Sequence, residues 1–160
     1  MIIYTDGAYS PSRDQGGWAF FIEDQQLPVT AGVKNTTNNR MELEAIKQAL
    51  EYVLRADVKE DIVIYTDSMY CVGVLTKNWT RNKNQDIIET IDSIKGSLDK
   101  KKVKVTITHV KGHNDNEGNE FVDKLANHSS IMLCQFLAKR STNVKPHYRH
   151  EPYKSTQLIL

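Results

Sequence analysis

The sequence predicts an α/β protein with a five-stranded mixed sheet and helices on both faces. One observation is a phrase that occurs twice, Ile-Tyr-Thr-Asp at residues 3–6 and again at 64–67. A β-branched and aromatic run that stops at an acid is typical of a buried strand with a carboxylate at its carboxyl end. The other is the order of elements, in which three strands are followed by helical patterns alternating with further strands.

The predicted elements follow the order βββ, α, β, αα, β, α. Turn residues separate the first three strands, which form an antiparallel meander, and Thr and Asn residues cap the first long helix. The first strand is expected to be central, with the last two strands parallel to it. The predicted strands are 2–9, 16–22, 26–33, the second Tyr-Thr-Asp segment and 103–109, and the predicted helices run from 36–39 to about 55, from 68 to about 76, over 85–98 and over 119–139.

Length and composition limit the class of protein. The 160 residues, with 39% hydrophobic and 26% charged side chains, fit one domain over 1–140 followed by a basic, partly irregular tail over 141–160. No apolar run approaches the ~20 residues that span a bilayer, so a membrane protein is excluded. A strand beginning at Ile2 leaves no room for a leader, and we expect a cytoplasmic monomer. We expect Cys71 and Cys134 to be reduced and buried.

The net charge of +1 conceals basic clusters. One surrounds Trp79, and another lies at 100–104. Such clusters permit a polyanionic partner, although each alone is equally typical of a solvated surface.

Helical geometry distinguishes two neighbouring acids on the first helix. Glu42 shares its face with Ala45, Ile46, Ala49 and Val53, whereas Glu44 lies on the opposite, solvent-facing side. Glu42 is therefore expected to point toward the strand ends. Compensation of the helix dipole explains an acid at this position equally well.

Three further carboxylates can reach the same point. Asp6 and Asp67 end the repeated phrases, and Asp123 lies in the first turns of the last helix. Capping of the following helix explains Asp67 equally well, and compensation of the helix dipole is the alternative for Asp123. Asp6 precedes Gly7, and a glycine there permits close approach of a backbone or ligand. Four clustered acids need cations, and oxygen-only ligation favours Mg²⁺ or Mn²⁺. Two such ions about 4 Å apart support phosphoryl transfer.

With these residues in place, the sequence resembles type 1 ribonuclease H, the bacterial ribonuclease HI family. The resemblance spans residues 2 to about 130. The matching motifs are Tyr4-Thr5-Asp6-Gly7, Thr37 to Leu43, Tyr65-Thr66-Asp67-Ser68, Val110-Lys111-Gly112-His113, Asn119-Glu120 and Asp123 to Ala126. It implies the ribonuclease H-like fold and endonucleolytic hydrolysis of the RNA strand of RNA/DNA hybrids, leaving 3′-hydroxyl and 5′-phosphate ends, with two Mg²⁺ ions that Mn²⁺ can replace.

The same resemblance implies roles for individual residues. It implies that Asp6, Glu42, Asp67 and Asp123 bind the metal ions and that His113 assists proton transfer and product release. A histidine in a Gly-bearing loop suits that role, whereas His109 has no such match and is expected to be structural. The substrate contacts that it implies are Gly7, Ala8, Tyr9, Thr37, Asn38, Asn39, Arg40, Trp79 and Asn119. Capping explains Thr37 and Asn38 as well, and Trp79 is nearly as well explained as an anchor of its own loop.

Two features depart from the family pattern. Many members insert a basic helix and loop after the segment that holds Trp79, whereas here residues 79–84 run directly into the next helix. The chain also ends Gln157-Leu158-Ile159-Leu160, which looks like a truncated bacterial sliding-clamp motif without its terminal aromatic. Four-residue matches are common by chance, so a packed or frayed terminus is the favoured interpretation and at most a weak clamp contact is expected. The alternatives are a non-catalytic hybrid-binding module on the same fold, which the four intact acids disfavour, and an actin-like phosphotransferase, which would need a glycine-rich phosphate loop and a second domain.

Overall fold

A computed structural model describes residues 1–111 and 116–141 of the chain. The strands are β1 (Ile2–Ser10), β2 (Gln15–Ile22), β3 (Leu27–Lys34), β4 (Ile62–Thr66) and β5 (Val105–His109). The helices are α1 (Asn38–Arg55), α2 (Met69–Thr76), α3 (Gln85–Lys100) and α4 (Glu117–Ser141). A short 3-10 helix, Pro11–Arg13, joins β1 to β2, and the sequence pattern does not predict it.

The five strands form one mixed sheet in the order β3-β2-β1-β4-β5, which confirms the predicted fold class. The central strand β1 is antiparallel to β2 and parallel to β4, and β5 is parallel to β4. The two copies of the repeated phrase pair in register, Ile3 with Ile64 and Tyr4 with Tyr65. This register brings the aspartates that end the two phrases to the same edge of the sheet.

Helices cover both faces of the sheet, and each face has its own apolar core. The larger core lies beneath α1, α2 and α3, and the smaller one lies beneath α4. The larger core includes Ile3, Phe20, Leu43, Ile46, Leu50, Ile64 and Ile91, and the smaller core consists of Tyr4, Ala8, Ala19, Val122 and Ala126. Burial of apolar surface on both faces holds the strand ends in place.

The surroundings of α1 differ in one respect from the prediction. Ala45, Ile46, Ala49 and Val53 are fully buried, as expected. The opposite side of the helix is only partly exposed, since Glu44, Lys47, Gln48 and Glu51 are all half-buried. Glu44 retains 16% of its side-chain exposure and pairs with Lys47, Nζ to Oε1 at 2.6 Å.

Some predicted boundaries are wrong by one or two residues. β5 begins at Val105 and not at Val103, because the chain is still turning there: Lys102 has φ 62° and the Val103 N–H donates to the Leu98 carbonyl. As predicted, residues 77–84 contain no helix between α2 and α3. None of the helices in the described part of the chain is long and apolar enough to cross a membrane.

The contact between α4 and β2 depends on Gly17. A Cβ atom there would lie 2.1 Å from the Ala126 carbonyl oxygen, whereas a Cβ on Gly96 in α3 would have nothing within 4 Å. We therefore expect Gly17→Ala to lower the free energy of unfolding by about 1–3 kcal/mol, because backbone must move to admit the methyl group. We expect the control Gly96→Ala to raise it by about 0.5–1 kcal/mol, because alanine favours the helix. Urea denaturation measures both, and equal effects would contradict the packing described.

Candidate active site

Asp6 lies on the central strand, and the residue after it determines what can approach. The Asp6 side chain is buried, and its Oδ1 accepts a 2.8 Å hydrogen bond from the Gly7 N–H. A Cβ on Gly7 would lie 2.3 Å from the backbone nitrogen of Glu42. The glycine thus lets the start of α1 press directly against β1, which confirms the expectation that it permits the close approach of another backbone.

Glu42 reaches the same place from α1. Thr37 caps this helix, with its Oγ1 accepting from the Arg40 N–H at 3.4 Å. The Glu42 side chain is buried, and its Oε1 accepts from Asn38 Nδ2 at 3.4 Å. Its Oε2 is buried and has no hydrogen-bond partner within the described residues. A buried carboxylate oxygen without a partner is costly, and a bound cation would satisfy it.

Asp67 follows β4, and the structure separates its role from helix capping. Ser68 is the cap of α2, because its Oγ accepts from the Cys71 N–H at 3.3 Å. The Asp67 carboxylate accepts instead from Asn119 Nδ2, at 3.4 Å on Oδ2. The Asp67 carbonyl lies 3.2 Å from His109 Nε2, which must donate because a carbonyl oxygen can only accept. His109 therefore has a structural contact, in line with its expected role.

These side chains share one open cavity of about 270 Å³. Asp6, Glu42 and Asp67 each offer a carboxylate oxygen, and these three oxygens lie within 4.8 Å of one another. Asp123, from α4, lines the same cavity but is not part of this close group. The lining residues are Asp6, Gly7, Ala8, Tyr9, Asn38, Glu42, Asp67, Asp123 and Asn127.

The cavity is lined by acids, and its described lining offers no basic side chain to offset them. No Lys, Arg or His occurs among the described residues that line it. Burial, then Asp67 and, more weakly, Asp123 raise the pKa of Asp6 to about 8, although the Gly7 N–H opposes the shift. Burial, followed by Asp6 and Asp67, also raises the pKa of Glu42 well above its usual value. Both shifts express the cost of placing like charges in a poorly solvated site.

The donor set fits a hard divalent cation. The close group offers only carboxylate oxygens, the ligands that Mg²⁺ and Mn²⁺ prefer. Cys71 lies buried behind the site as a free thiol, as predicted, and burial strongly raises its pKa. The thiol stays protonated and does not compete as a ligand. The side chain of Cys134 lies outside the described residues.

The residues predicted to contact substrate fall into four groups. Gly7, Ala8, Tyr9 and Asn38 line the cavity, while Thr37, Asn39 and Arg40 lie beside it at the start of α1. The Asn119 side chain is buried and bonds Asp67. Trp79 is not among the lining residues; it is 46% exposed, and its ring lies against Gly73, where a Cβ would meet it at 2.2 Å.

Two predicted features lie outside the described residues, and one cavity residue was not predicted. His113 and the tail beyond Ser141 are not described. Asn127 lines the cavity and is absent from the residues that the sequence pattern singled out. Its spacing of four residues from Asp123 is the signal that could have found it, because residues i and i+4 share a helix face.

A mixed sheet with clustered acids where its parallel strands end, covered by helices on both faces, defines a class of α/β domain with an acidic site that could hold a cation. The family model for RNase H matches residues 1–131. The chain is 37% identical over 142 residues to the Ribonuclease H of Francisella philomiragia subsp. philomiragia and to that of Francisella tularensis subsp. novicida, covering 79% of this chain and 88% of each relative.

The chain belongs to the ribonuclease H family and is a ribonuclease, as the sequence motifs predicted. Enzymes of this family depend on divalent metal, and the group of Asp6, Glu42 and Asp67 could hold such an ion.

The raised acid pKa values predict how stability depends on pH. An acid whose pKa rises on folding from 3.8 to about 8 binds more protons in the folded state between these values. The free energy of unfolding of the metal-free protein therefore falls as pH rises through this window. We expect Asp6→Asn, measured by urea denaturation in EDTA at about pH 9, to raise that free energy by about 1–3 kcal/mol, with a smaller gain at about pH 5.

The control for this experiment is Asp57→Asn. The pKa of Asp57 is lowered to about 2 by its hydrogen bonds to Lys101 and Lys59, so losing this charge should not stabilise the protein. Equal stability of Asp6→Asn and the native chain at both pH values would contradict the electrostatic description.

Proposed function

We propose that this ribonuclease hydrolyses the RNA strand of RNA/DNA hybrids and leaves 3′-hydroxyl and 5′-phosphate ends. The proposal includes two divalent ions, Mg²⁺ in the first instance with Mn²⁺ as a substitute. The observation that carries it is the group of Asp6, Glu42 and Asp67 around a buried carboxylate oxygen that has no hydrogen-bond partner in the described part of the chain. Membership of the ribonuclease H family supports the substrate class.

Asp6, Glu42, Asp67 and Asp123 would hold the ions. When bound, such ions lower the pKa of water and neutralise charge on the leaving oxygen. The protein supplies a cavity whose lining has negative charge and no competing cation among its described residues. We assign His113, which precedes α4 in the sequence, the role of moving a proton to or from the reacting oxygens, since an imidazole titrates near neutrality.

Recognition of the hybrid requires contacts in a widened minor groove, where 2′-hydroxyls distinguish RNA from DNA. Gly7, Ala8, Tyr9 and Asn38 are suited to this role because they line the cavity beside the acids. We assign Asn39 and Asn119 to the same groove on the family resemblance. Asn119 is 1% exposed and its Nδ2 bonds the Asp67 carboxylate, so its effect on the substrate would pass through Asp67.

The start of α1 is the proposed site for a phosphate of the DNA strand. Thr37, Asn38 and Arg40 combine helix N–H groups with a guanidinium there. In the structure Arg40 forms a bidentate, exposed ion pair with Asp86, with Nη1 to Oδ1 at 3.0 Å. Exposed pairs contribute little stability, so a phosphate can replace or share this partner.

Trp79 offers an aromatic surface for the sugar edge of the DNA strand. Its backbone N–H donates to the Gly73 carbonyl at 3.2 Å. Arg81 holds the same loop, with Nε donating to the Val74 carbonyl at 2.9 Å and an ion pair to Asp92. The tryptophan therefore anchors its own loop and still presents half of its surface, so both interpretations of this residue are compatible.

The second candidate is a non-catalytic hybrid-binding module on the same fold. The intact acid set and the relatives named Ribonuclease H favour the enzyme. A cytoplasmic, monomeric state and a weak clamp contact through residues 157–160 stay predictions.

Glu42 and Glu44 provide a direct test, because they lie on one helix and only Glu42 lines the cavity. We expect Glu42→Gln to lower the rate of RNA cleavage on the order of 100-fold or more, because an ion ligand is lost. The matched control Glu44→Gln should keep the native rate. The measurement is cleavage of a 5′-labelled RNA strand in a hybrid, with RNA and DNA duplexes alongside, with and without Mg²⁺. Hybrid binding without cutting in either Mg²⁺ or Mn²⁺ would favour the binding module.

The proposed phosphate site predicts a salt dependence. In the Glu42→Gln background, we expect Arg40→Ala to weaken hybrid binding and to reduce the slope of log affinity against log salt by about 1, because one phosphate contact is lost. Asp86→Asn should strengthen binding, because it frees the guanidinium. Arg55→Ala, at the other end of α1, is the control. Fluorescence anisotropy over a salt series measures all three, and an unchanged slope for Arg40→Ala would remove Arg40 from the site.

A further inference from the structure

The four acids of the cavity share a pattern of hydrogen bonding. Each carboxylate accepts a hydrogen bond on one oxygen from a neutral N–H group. The donors are the Gly7 N–H to Asp6 at 2.8 Å, Asn38 Nδ2 to Glu42 at 3.4 Å, Asn119 Nδ2 to Asp67 at 3.4 Å and Asn127 Nδ2 to Asp123 at 2.8 Å. In each case these bonds engage a single oxygen and leave the second for another ligand.

Neutral hydrogen-bond donors orient the carboxylates without cancelling their charge. A lysine or arginine in these positions would orient the acids but would also neutralise them and compete with a metal ion. An amide orients a carboxylate and leaves its negative charge in place. Groups that orient metal ligands in this way commonly affect metal affinity strongly.

Among the four acids, Asp123 is the one that lies outside the close oxygen group. Asp6 and Glu42 retain only 5% and 6% of their exposure and belong to the close oxygen group. Asp123 is only partly buried, lies on α4 and falls outside that group. Its orientation therefore depends less on burial than that of Asp6 or Glu42, and the groups against its carboxylate are Asp6 and the exposed side chain of Asn127.

Asn127 supplies its hydrogen bond to Asp123 in a constrained geometry. It lies one helical turn after Asp123, and its Nδ2 donates both to Asp123 Oδ1 at 2.8 Å and to the Asp123 carbonyl oxygen at 2.9 Å. An amide held by the backbone and the carboxylate of one residue restricts the side-chain rotation of that residue. Asn127 also lines the cavity, so this restriction acts where the ions would bind.

We propose that Asn127 is a positioning residue that holds the Asp123 carboxylate ready to bind a divalent cation without supplying positive charge. The proposal rests on the proposed function, in which the four acids hold divalent ions. Asn127 would neither contact the substrate nor bind the metal ion itself, because its amide acts through the Asp123 carboxylate.

The test is calorimetric titration of the purified protein with Mn²⁺ alone, in the absence of nucleic acid. We expect Asn127→Ala to raise the dissociation constant for Mn²⁺ on the order of tenfold, because Asp123 loses its orientation. Asn127→Gln keeps an amide that can bond an acid four residues earlier on a helix and should restore most of the affinity. In hybrid cleavage, Asn127→Ala should need more Mn²⁺ for half-maximal rate and should approach the native rate at saturating Mn²⁺.

Gln48→Ala is the matched control, because Gln48 Nε2 donates to Glu44 Oε1 at 2.8 Å with the same spacing on α1, away from the cavity. It should lose a similar small amount of thermal stability and keep the native Mn²⁺ affinity. Native affinity in Asn127→Ala, or equal losses in both variants, would overturn the positioning role while cleavage by the native chain still upheld the proposed function. A native chain that neither binds Mn²⁺ nor cuts hybrid would overturn both.

Discussion

Repulsion among four carboxylates at one end of the central strands is the constraint on which the site depends. The sheet register brings Asp6 beside Asp67, and helices on the two faces add Glu42 and Asp123. Like charges so close together raise one another's pKa and oppose folding when they are ionised. The apolar cores on both faces must therefore hold together a cluster that would otherwise separate.

Close packing from both faces makes this cluster possible. Gly7 admits the backbone of α1, and Gly17 admits that of α4. A side chain at either position would push a helix, and the acid that it carries, away from the strand ends. Neutral hydrogen-bond donors then orient each carboxylate while preserving the charge of the site. The result is a cavity organised to receive positive charge from outside the protein.

Much of the fold could be predicted because local sequence patterns determine it. The repeated phrase, the apolar stripe of α1 and the turn residues indicate the sheet order and the two strand-end acids. The partial burial of Glu44 could not be predicted in the same way, since burial depends on tertiary packing around α1, which no local period encodes. The start of β5 was missed because Lys102 adopts a left-handed conformation that lysine rarely favours.

The candidate site, like the fold, could be predicted only in part. Family motifs and helical geometry pointed to the four acids, and the structure brings them into one cavity. Ser68, and not Asp67, caps α2, a distinction that depends on hydrogen bonds and not on residue type. The contact of Asn119 with Asp67 could not be predicted for the same reason, because asparagine is common at helix starts, whereas that of Asn127 with Asp123 has a sequence signal only in its spacing of four residues.

The most direct measurement is a crystal structure of the protein soaked in Mn²⁺, with anomalous scattering used to locate the ions. We expect anomalous peaks in the cavity, bound by Asp6 and shared with Glu42 and Asp67, with the Glu42 oxygen Oε2 among the ligands. A cavity without anomalous density at Mn²⁺ concentrations that support RNA cleavage would contradict the view that these acids are clustered to hold divalent ions.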